Sequence, residues 1–324
     1  MTNNFSYVKA VSLAQAIKEL GSKGACLHAG GIDLLGCARS EIFPVEKVVS
    51  ISGLKSLAGI SARPDGGLKI GSLARLSELA SSASVAAKYP VLAEAAASVG
   101  SPPIREQGTV GGNLCQRPRC WYFRGDFECL KKGGKTCYAL TGENQYHAIF
   151  GGGPCFCVHP SDVAVALCAL QATFGISGPL GTRAVRCEEF FVGPNKSIDK
   201  ENVLLPGEIV TDIRVPPVDG TMQSAYRKIR ARGSWDFALA AVAAVFETDA
   251  GRIRSARIVL GGVGPYPWRA DAAEKLVAGK KVDGALAAAA SEAAVAGAVP
   301  LRDNAYKLDM VRGAVEELLA ALLS

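Results

Sequence analysis

Ten cysteines are spread unevenly along the chain, at positions 26, 37, 115, 120, 129, 137, 155, 157, 168 and 187, and six of them fall between 115 and 157. Four of these, in the pattern Cys120-x8-Cys129-x7-Cys137-x17-Cys155, could converge as thiolates from one extended loop, with Cys115 and Cys157 as outliers. Soft sulfur donors of this kind take zinc or an iron–sulfur cluster. Structural zinc favours short knuckles, because a tight turn places two sulfurs on one small ion, and no two of the four are so spaced. A [4Fe–4S] cube has its irons at separate corners and accepts ligands delivered one at a time. Arg117, Arg119, Arg124, Lys131, Lys132 and Lys135 would offset its negative charge. Spacing alone leaves cluster, zinc and unligated cysteines all open.

Two glycine turns are the second feature. His28-Ala-Gly-Gly-Ile-Asp-Leu34 and Gly108-Thr-Val-Gly-Gly-Asn-Leu114 each place paired glycines between a strand and the next element. Without Cβ atoms, such a turn lets backbone N–H groups converge on a phosphate oxygen; equally, it is simply a turn. Together the two suggest a diphosphate held between two loops. Neither has the G-x-G-x-x-G spacing of a Rossmann site, which disfavours a classical NAD domain. In Val158-His-Pro-Ser-Asp162, Ser161 or Asp162 can cap the apolar helix beginning there, or hold a ligand's hydroxyls or phosphate. His28, His147 and His159 lack metal-pair spacing, and G-x-S-x-G and H-E-x-x-H are both absent, so hydrolase readings have no support.

The elements that must carry these groups are set by periodicity. Helices are predicted over Leu13–Leu20, Leu73–Ala87 and Val91–Val99, with Ser72 and Pro90 near the starts of the latter two, and over Asp162–Ala169, Ala285–Ala296 and Lys307–Leu323. Strands are predicted over Ala25–Ala29, Val48–Ile51, Leu68–Ile70, Ala172–Ile176, Ile209–Val215, Ser224–Arg230 and Ala256–Leu260. Phe237 to Phe246 is the longest apolar stretch, a buried helix or strand too short to span a membrane. The cysteine segment has no clean period and reads as a long structured loop.

Across 324 residues, 49% hydrophobic and 20% charged, the composition is that of a globular enzyme of two or three domains, not of a disordered or fibrous chain. The net charge of +6 comes without a basic stripe or a run of like charges, giving nucleic-acid binding little support. The polar N-terminus, Met1 to Lys9, carries no export signal, which leaves a cytoplasmic location, or a periplasmic one through a signal-bearing partner.

Taken in order, Ala29-Gly-Gly-Ile-Asp-Leu34, Ile104 to Leu114, His159-Pro-Ser-Asp162, Leu205-Pro-Gly-Glu-Ile209 and Tyr226-Arg-Lys-Ile229 resemble the FAD-binding subunit of molybdenum hydroxylases, the xanthine dehydrogenase and aldehyde oxidoreductase group. The resemblance implies an α+β chain: a two-lobed, vanillyl-alcohol-oxidase-like FAD-binding domain over 1–217, with lobes of about 1–55 and 56–217 and an inserted loop at 115–157, then a small C-terminal domain over 218–324. It implies that Ala29, Gly30, Gly31, Ile32, Asp33 and Leu34, with Thr109, Gly111, Gly112 and Asn113, hold the FAD diphosphate. Ser161 and Asp162 would contact the ribityl or diphosphate region, and Lys228 would lie near the flavin.

The insert is similar to the [4Fe–4S] loop of two subgroups, the periplasmic-type aldehyde oxidoreductases and the 4-hydroxybenzoyl-CoA reductases. Cys120-Trp-Tyr-Phe-Arg124, Cys129, Cys137 and His147 look closer to the first. By that pattern the ligands are Cys120, Cys129, Cys137 and Cys155. The implied role is electron transfer, from a molybdenum-cofactor large subunit and a [2Fe–2S] small subunit through FAD to an external acceptor. Two rivals are a stand-alone flavoprotein reductase and a non-catalytic scaffold stapled by zinc.

Overall fold

Three sheets succeed one another along the chain, and the computed structural model describes them within residues 4–233 and 235–323. Of the polar N-terminal stretch, Met1 to Asn3 lie outside the described residues. The first sheet has β1 (Ser6–Lys9), β2 (Ala25–His28) and β3 (Lys47–Ser50) in the order β1-β3-β2, all parallel. Parallel strands need crossovers, which the helices Leu13–Leu20 and Leu34–Arg39 supply. Ser12 starts the first of these helices by accepting from the Gln15 N–H at 3.2 Å. Strand β1 is absent from the sequence prediction: it is a largely exposed edge strand, so it has no apolar alternation to read.

The second sheet is antiparallel, in the order β4-β5-β8-β6-β7, from β4 (Ile60–Ala62), β5 (Leu68–Gly71), β6 (Thr173–Gly178), β7 (Gly181–Arg186) and β8 (Ile209–Val215). The second glycine turn and the whole cysteine segment are strung between β5 and β6. The helix predicted over Leu73–Ala87 is two, Leu76–Ser81 and Ala83–Lys88. Ser82 separates them: its backbone is extended, and its hydroxyl caps the second by accepting from the Val85 N–H. Ser72 lies before both, tied instead to β8 through its N–H to the Thr211 carbonyl.

The third sheet, β12-β11-β10-β9, consists of β9 (Met222–Ile229), β10 (Ala240–Asp249), β11 (Arg252–Gly261) and β12 (Trp268–Arg269). The apolar run ending at Phe246 resolves as β10. Ala241, Ala243 and Val245 face the core of the second lobe, while Ala240, Val242, Ala244 and Phe246 face the helices Asp271–Val277, Gly284–Ala294 and Tyr306–Leu323. A strand buried on both sides loses the alternation that would mark it. One face of the C-terminal sheet therefore completes the core that backs the second sheet.

Candidate functional site

A cleft of about 750 Å³ opens where the two lobes and the C-terminal sheet meet, a size within the range of small-molecule sites. Ala29, Gly30, Gly31, Ile32, Asp33 and Leu34 line it from the first lobe, Thr109, Gly111, Gly112 and Asn113 from the second. Asp162 and Lys228 complete it from the Asp162–Ala169 helix and β9. Ser161 is not on this wall. Its hydroxyl accepts from the Ala164 N–H at 3.0 Å and donates to Asn113 Oδ1 at 2.6 Å, so it caps its helix and orients the asparagine.

The two glycine turns do different work. Gly31 has φ +75, a conformation that favours glycine. A Cβ at Gly30 would overlap the Gln107 carbonyl oxygen, so the lobes touch there. The N–H groups of Gly30, Gly31 and Ile32 have no hydrogen-bond partner among the described residues. The second turn follows a helix, Pro102–Gln107, rather than the strand expected, and opens another, Val110–Leu114. Its amides are spent internally: Gly111 donates to the Ser72 carbonyl at 2.8 Å, and Gly112 to Thr109 Oγ1 at 3.1 Å. The first turn thus offers free donors, whereas the second offers a wall without Cβ atoms.

At the base of the cleft, Lys228 Nζ donates to Asp162 Oδ2 at 2.8 Å and to the Ser98 carbonyl at 3.1 Å. The Tyr226 hydroxyl donates to Asp162 Oδ1 at 2.7 Å. Burial pushes the Asp162 carboxyl up, with Lys228 opposing it, and the net displacement is upward. The pair joins the C-terminal sheet to the helix that lines the cleft.

A second cavity, of about 460 Å³, adjoins the first. The two share Arg119, Pro160, Asp162, Asp236 and Phe237. Its other end is formed by Cys120, His147 and Cys157, which also line a small third cavity together with Cys129, Cys137 and Cys155. All four candidate cluster ligands therefore surround one space, with Cys157 beside them. Cys115 lies elsewhere, on the wall of the large cleft, where burial raises its thiol to about 12. Cys120 Sγ is 3.2 Å from His147 Nε2, and burial raises the Cys120 thiol to about 12. Hydrogen bonding to Cys155, followed by burial, pushes the Cys137 thiol up as well. Among the described residues no three His, Cys, Asp or Glu side chains meet as a site for a single metal ion.

The cysteine segment is anchored at three places. Asp33 Oδ1 pairs with Arg119 and, at 2.8 Å, with Arg124, while Oδ2 accepts from the Arg117 N–H at 2.7 Å. Lys131 Nζ and Arg117 Nε reach Glu201 at 2.6 and 2.7 Å. At the far end, Lys307 Nζ donates to the carbonyls of Tyr146, His147 and Gly262, and Asn304 Nδ2 to those of His147 and Ala148.

Residues 3–218 match the family described as the FAD binding domain in molybdopterin dehydrogenase, and 224–322 match the CO dehydrogenase flavoprotein C-terminal domain. The chain belongs to the FAD-binding subunits of the molybdenum hydroxylases. This flavin subunit is 36% identical over 321 residues to the aldehyde oxidoreductase FAD-binding subunit PaoB of Escherichia coli (strain K12), covering 98% of this chain and 97% of that one. It is 30% identical to the glyceraldehyde dehydrogenase medium chain of Sulfolobus acidocaldarius, covering 86% of this chain and 83% of the relative. Among solved structures, carbon monoxide dehydrogenase from Hydrogenophaga pseudoflava superposes with a TM-score of 0.80 at 28% identity, covering 99% of this chain and 98% of that chain.

Both matched regions of the flavin subunit build the cleft, since Lys228 and Trp235 to Phe237 come from the second. Sequence reasoning missed the anchors Glu201, Asn304 and Lys307. No local signal marks them: a lone glutamate, asparagine or lysine becomes an anchor only when a segment distant in sequence folds against it.

Proposed function

We propose that this flavin subunit holds FAD in the large cleft and a [4Fe–4S] cluster on Cys120, Cys129, Cys137 and Cys155. In this reading it passes electrons from a molybdenum-cofactor subunit and a [2Fe–2S] subunit to an external acceptor, in the service of aldehyde oxidation. The observation that carries the reading is the run of three adjoining cavities, which puts the four cysteines within one intervening cavity of the cleft. The likeness to PaoB supports the aldehyde assignment.

The free N–H groups of Gly30, Gly31 and Ile32 suit a diphosphate, being oriented donors on a turn. Asn113, held by Ser161, keeps its amide N–H₂ for the ligand, and the bare backbone at Gly112 allows close approach. Lys228 is held as a fixed positive charge by Asp162 and the Ser98 carbonyl, suited to an electron-rich ring edge. When bound, flavin exchanges electrons singly with a cluster and singly or in pairs with an acceptor, while the protein positions and tunes it. A single zinc draws its thiolates to within about 2.3 Å of one point, usually from knuckle-spaced pairs, and no two of the four cysteines are so spaced. A cube accepts thiols spread around a small space, as these four are.

Purifying the chain anaerobically and measuring its visible spectrum, flavin, iron and zinc tests the reading. One FAD and four irons per chain are expected. Colourless protein with one zinc overturns the proposal.

A further inference from the structure

His147 stands where the second cavity and the cysteine cavity share a wall. It is 3% exposed, and its Nε2 lies 3.2 Å from Cys120 Sγ. Its Nδ1 has no hydrogen-bond partner among the described residues. The contact with Cys120 is therefore the ring's one side-chain hydrogen bond among the described residues.

The ring is held in that pose from several sides. Trp121 meets it edge-on at 5.5 Å and Tyr122 lies at 5.9 Å. Its main-chain carbonyl accepts from Asn304 Nδ2 and Lys307 Nζ, each at 3.1 Å, and its N–H donates to the Asn144 carbonyl at 3.0 Å. The C-terminal domain thus fixes the backbone of the residue that touches the sulfur. If Cys120 ligates iron, its sulfur carries no proton, and the hydrogen between the two atoms must belong to Nε2. A hydrogen bond to a ligand sulfur draws electron density away from the cluster and favours the reduced, more negative state.

We propose that His147 is a positioning residue for the cluster: it donates Nε2–H to the Cys120 sulfur and thereby raises the cluster's reduction potential. This rests on the cluster reading above. His147 does not line the large cleft, so a neutral replacement there is expected to leave the flavin's own potential unchanged.

The test is a redox titration of the full chain loaded with flavin and cluster, following the reduced cluster by electron paramagnetic resonance and the flavin by absorbance. His147→Phe keeps the ring's bulk and removes the donor. His147→Gln restores an N–H at nearly the Nε2 position, and His147→Asn offers an amide too short to reach. The expected result for His147→Phe and His147→Asn is a cluster at least tenfold harder to reduce at a fixed potential, about 59 mV for a one-electron couple. His147→Gln should stay near wild type, and all variants should keep the wild-type flavin potential. A full iron complement with an unchanged cluster potential in the Phe and Asn variants overturns the proposal, as does a Gln variant that shifts as far as they do. Should the Phe variant lose its iron, the comparison of Gln with Asn still decides. Wild-type chain without iron or a reduced-cluster signal instead overturns the cluster reading, a result distinguishable from either.

Discussion

The Asp33 carboxylate accepts from the Arg124 guanidinium at 2.8 Å, across 91 positions of sequence, and so ties the glycine turn of the first lobe to the cysteine segment. An aspartate on a turn that offers free amides to a diphosphate would repel the anion if its charge were unspent. Here Arg119, Arg124 and the Arg117 N–H consume both carboxylate oxygens. One residue thus serves the geometry of the large cleft and of the cysteine segment together.

Asp33→Ala should lower stability by about 2–4 kcal/mol, because it leaves two half-buried guanidinium groups unpaired. Burial pushes the Asp33 carboxyl up, but Arg119 and Arg124 outweigh it, and the net displacement is downward. The group's contribution is therefore complete above the ordinary aspartate range and is lost as pH falls through the lowered value. Denaturant midpoints of wild type and Asp33→Ala should differ most near neutrality and converge in strong acid. A gap that stays constant with pH would refute the ion-pair account.

The two glycines of the second turn should behave differently. A Cβ at Gly111 would lie 2.8 Å from Ser72 Cβ, inside the fold, whereas one at Gly112 meets only Thr109 Oγ1, at 3.0 Å. Gly111→Val should cost about 1–3 kcal/mol through overpacking and lose flavin as a consequence. Gly112→Val should remain folded and still retain at least about tenfold less flavin, about 1.4 kcal/mol of binding. Flavin content and thermal midpoint, measured on both, check the distinction. Full flavin in a folded Gly112→Val would remove this turn from the site.

Lys228→Met leaves Asp162 buried without its cation, a change worth about 3–5 kcal/mol. Because burial already raises the Asp162 carboxyl against Lys228, removing the lysine drives it further up. Folding then favours the protonated acid, and stability falls as pH rises between the unfolded and folded values. The deficit of Lys228→Met should be largest at neutral pH and shrink in mild acid, and Asp162→Asn in the same background should recover part of it. Urea unfolding at several pH values measures this, and a deficit that grows in acid would contradict it.

Single serine substitutions should divide the cysteines by their place in the fold. Cys120, Cys129, Cys137 and Cys155 surround the small cavity, and each variant should lose most of its iron. Cys115 lies on the wall of the large cleft, so Cys115→Ser should keep the cluster. Cys157→Ser is the sharper case, since that thiol borders the same space. Iron analysis and the reduced-cluster signal should find it wild type, and a Cys157→Ser chain without iron, paired with an iron-loaded Cys155→Ser, would reassign the fourth ligand.

What the sequence by itself determined is what depends on near neighbours. The helices Leu13–Leu20 and Asp162–Ala169 and the strand Ile209–Val215 have the predicted bounds, because cap, period and breaker all lie within a few residues of one another. The glycine turns and the crowding of cysteines were equally legible, since residue type alone carries that chemistry. Tertiary structure decided the rest. Whether Phe237 to Phe246 is helix or strand depended on which surfaces cover it, and both faces of β10 are covered by segments remote in sequence. Ser161 is spent on Asn113, 48 positions away, and Asp33 on Arg124. Lys307 closes over Tyr146 and His147 from 160 positions beyond. A hydrogen bond between such partners has no sequence period, because its geometry exists only after the lobes and the C-terminal sheet have packed and excluded water from between them.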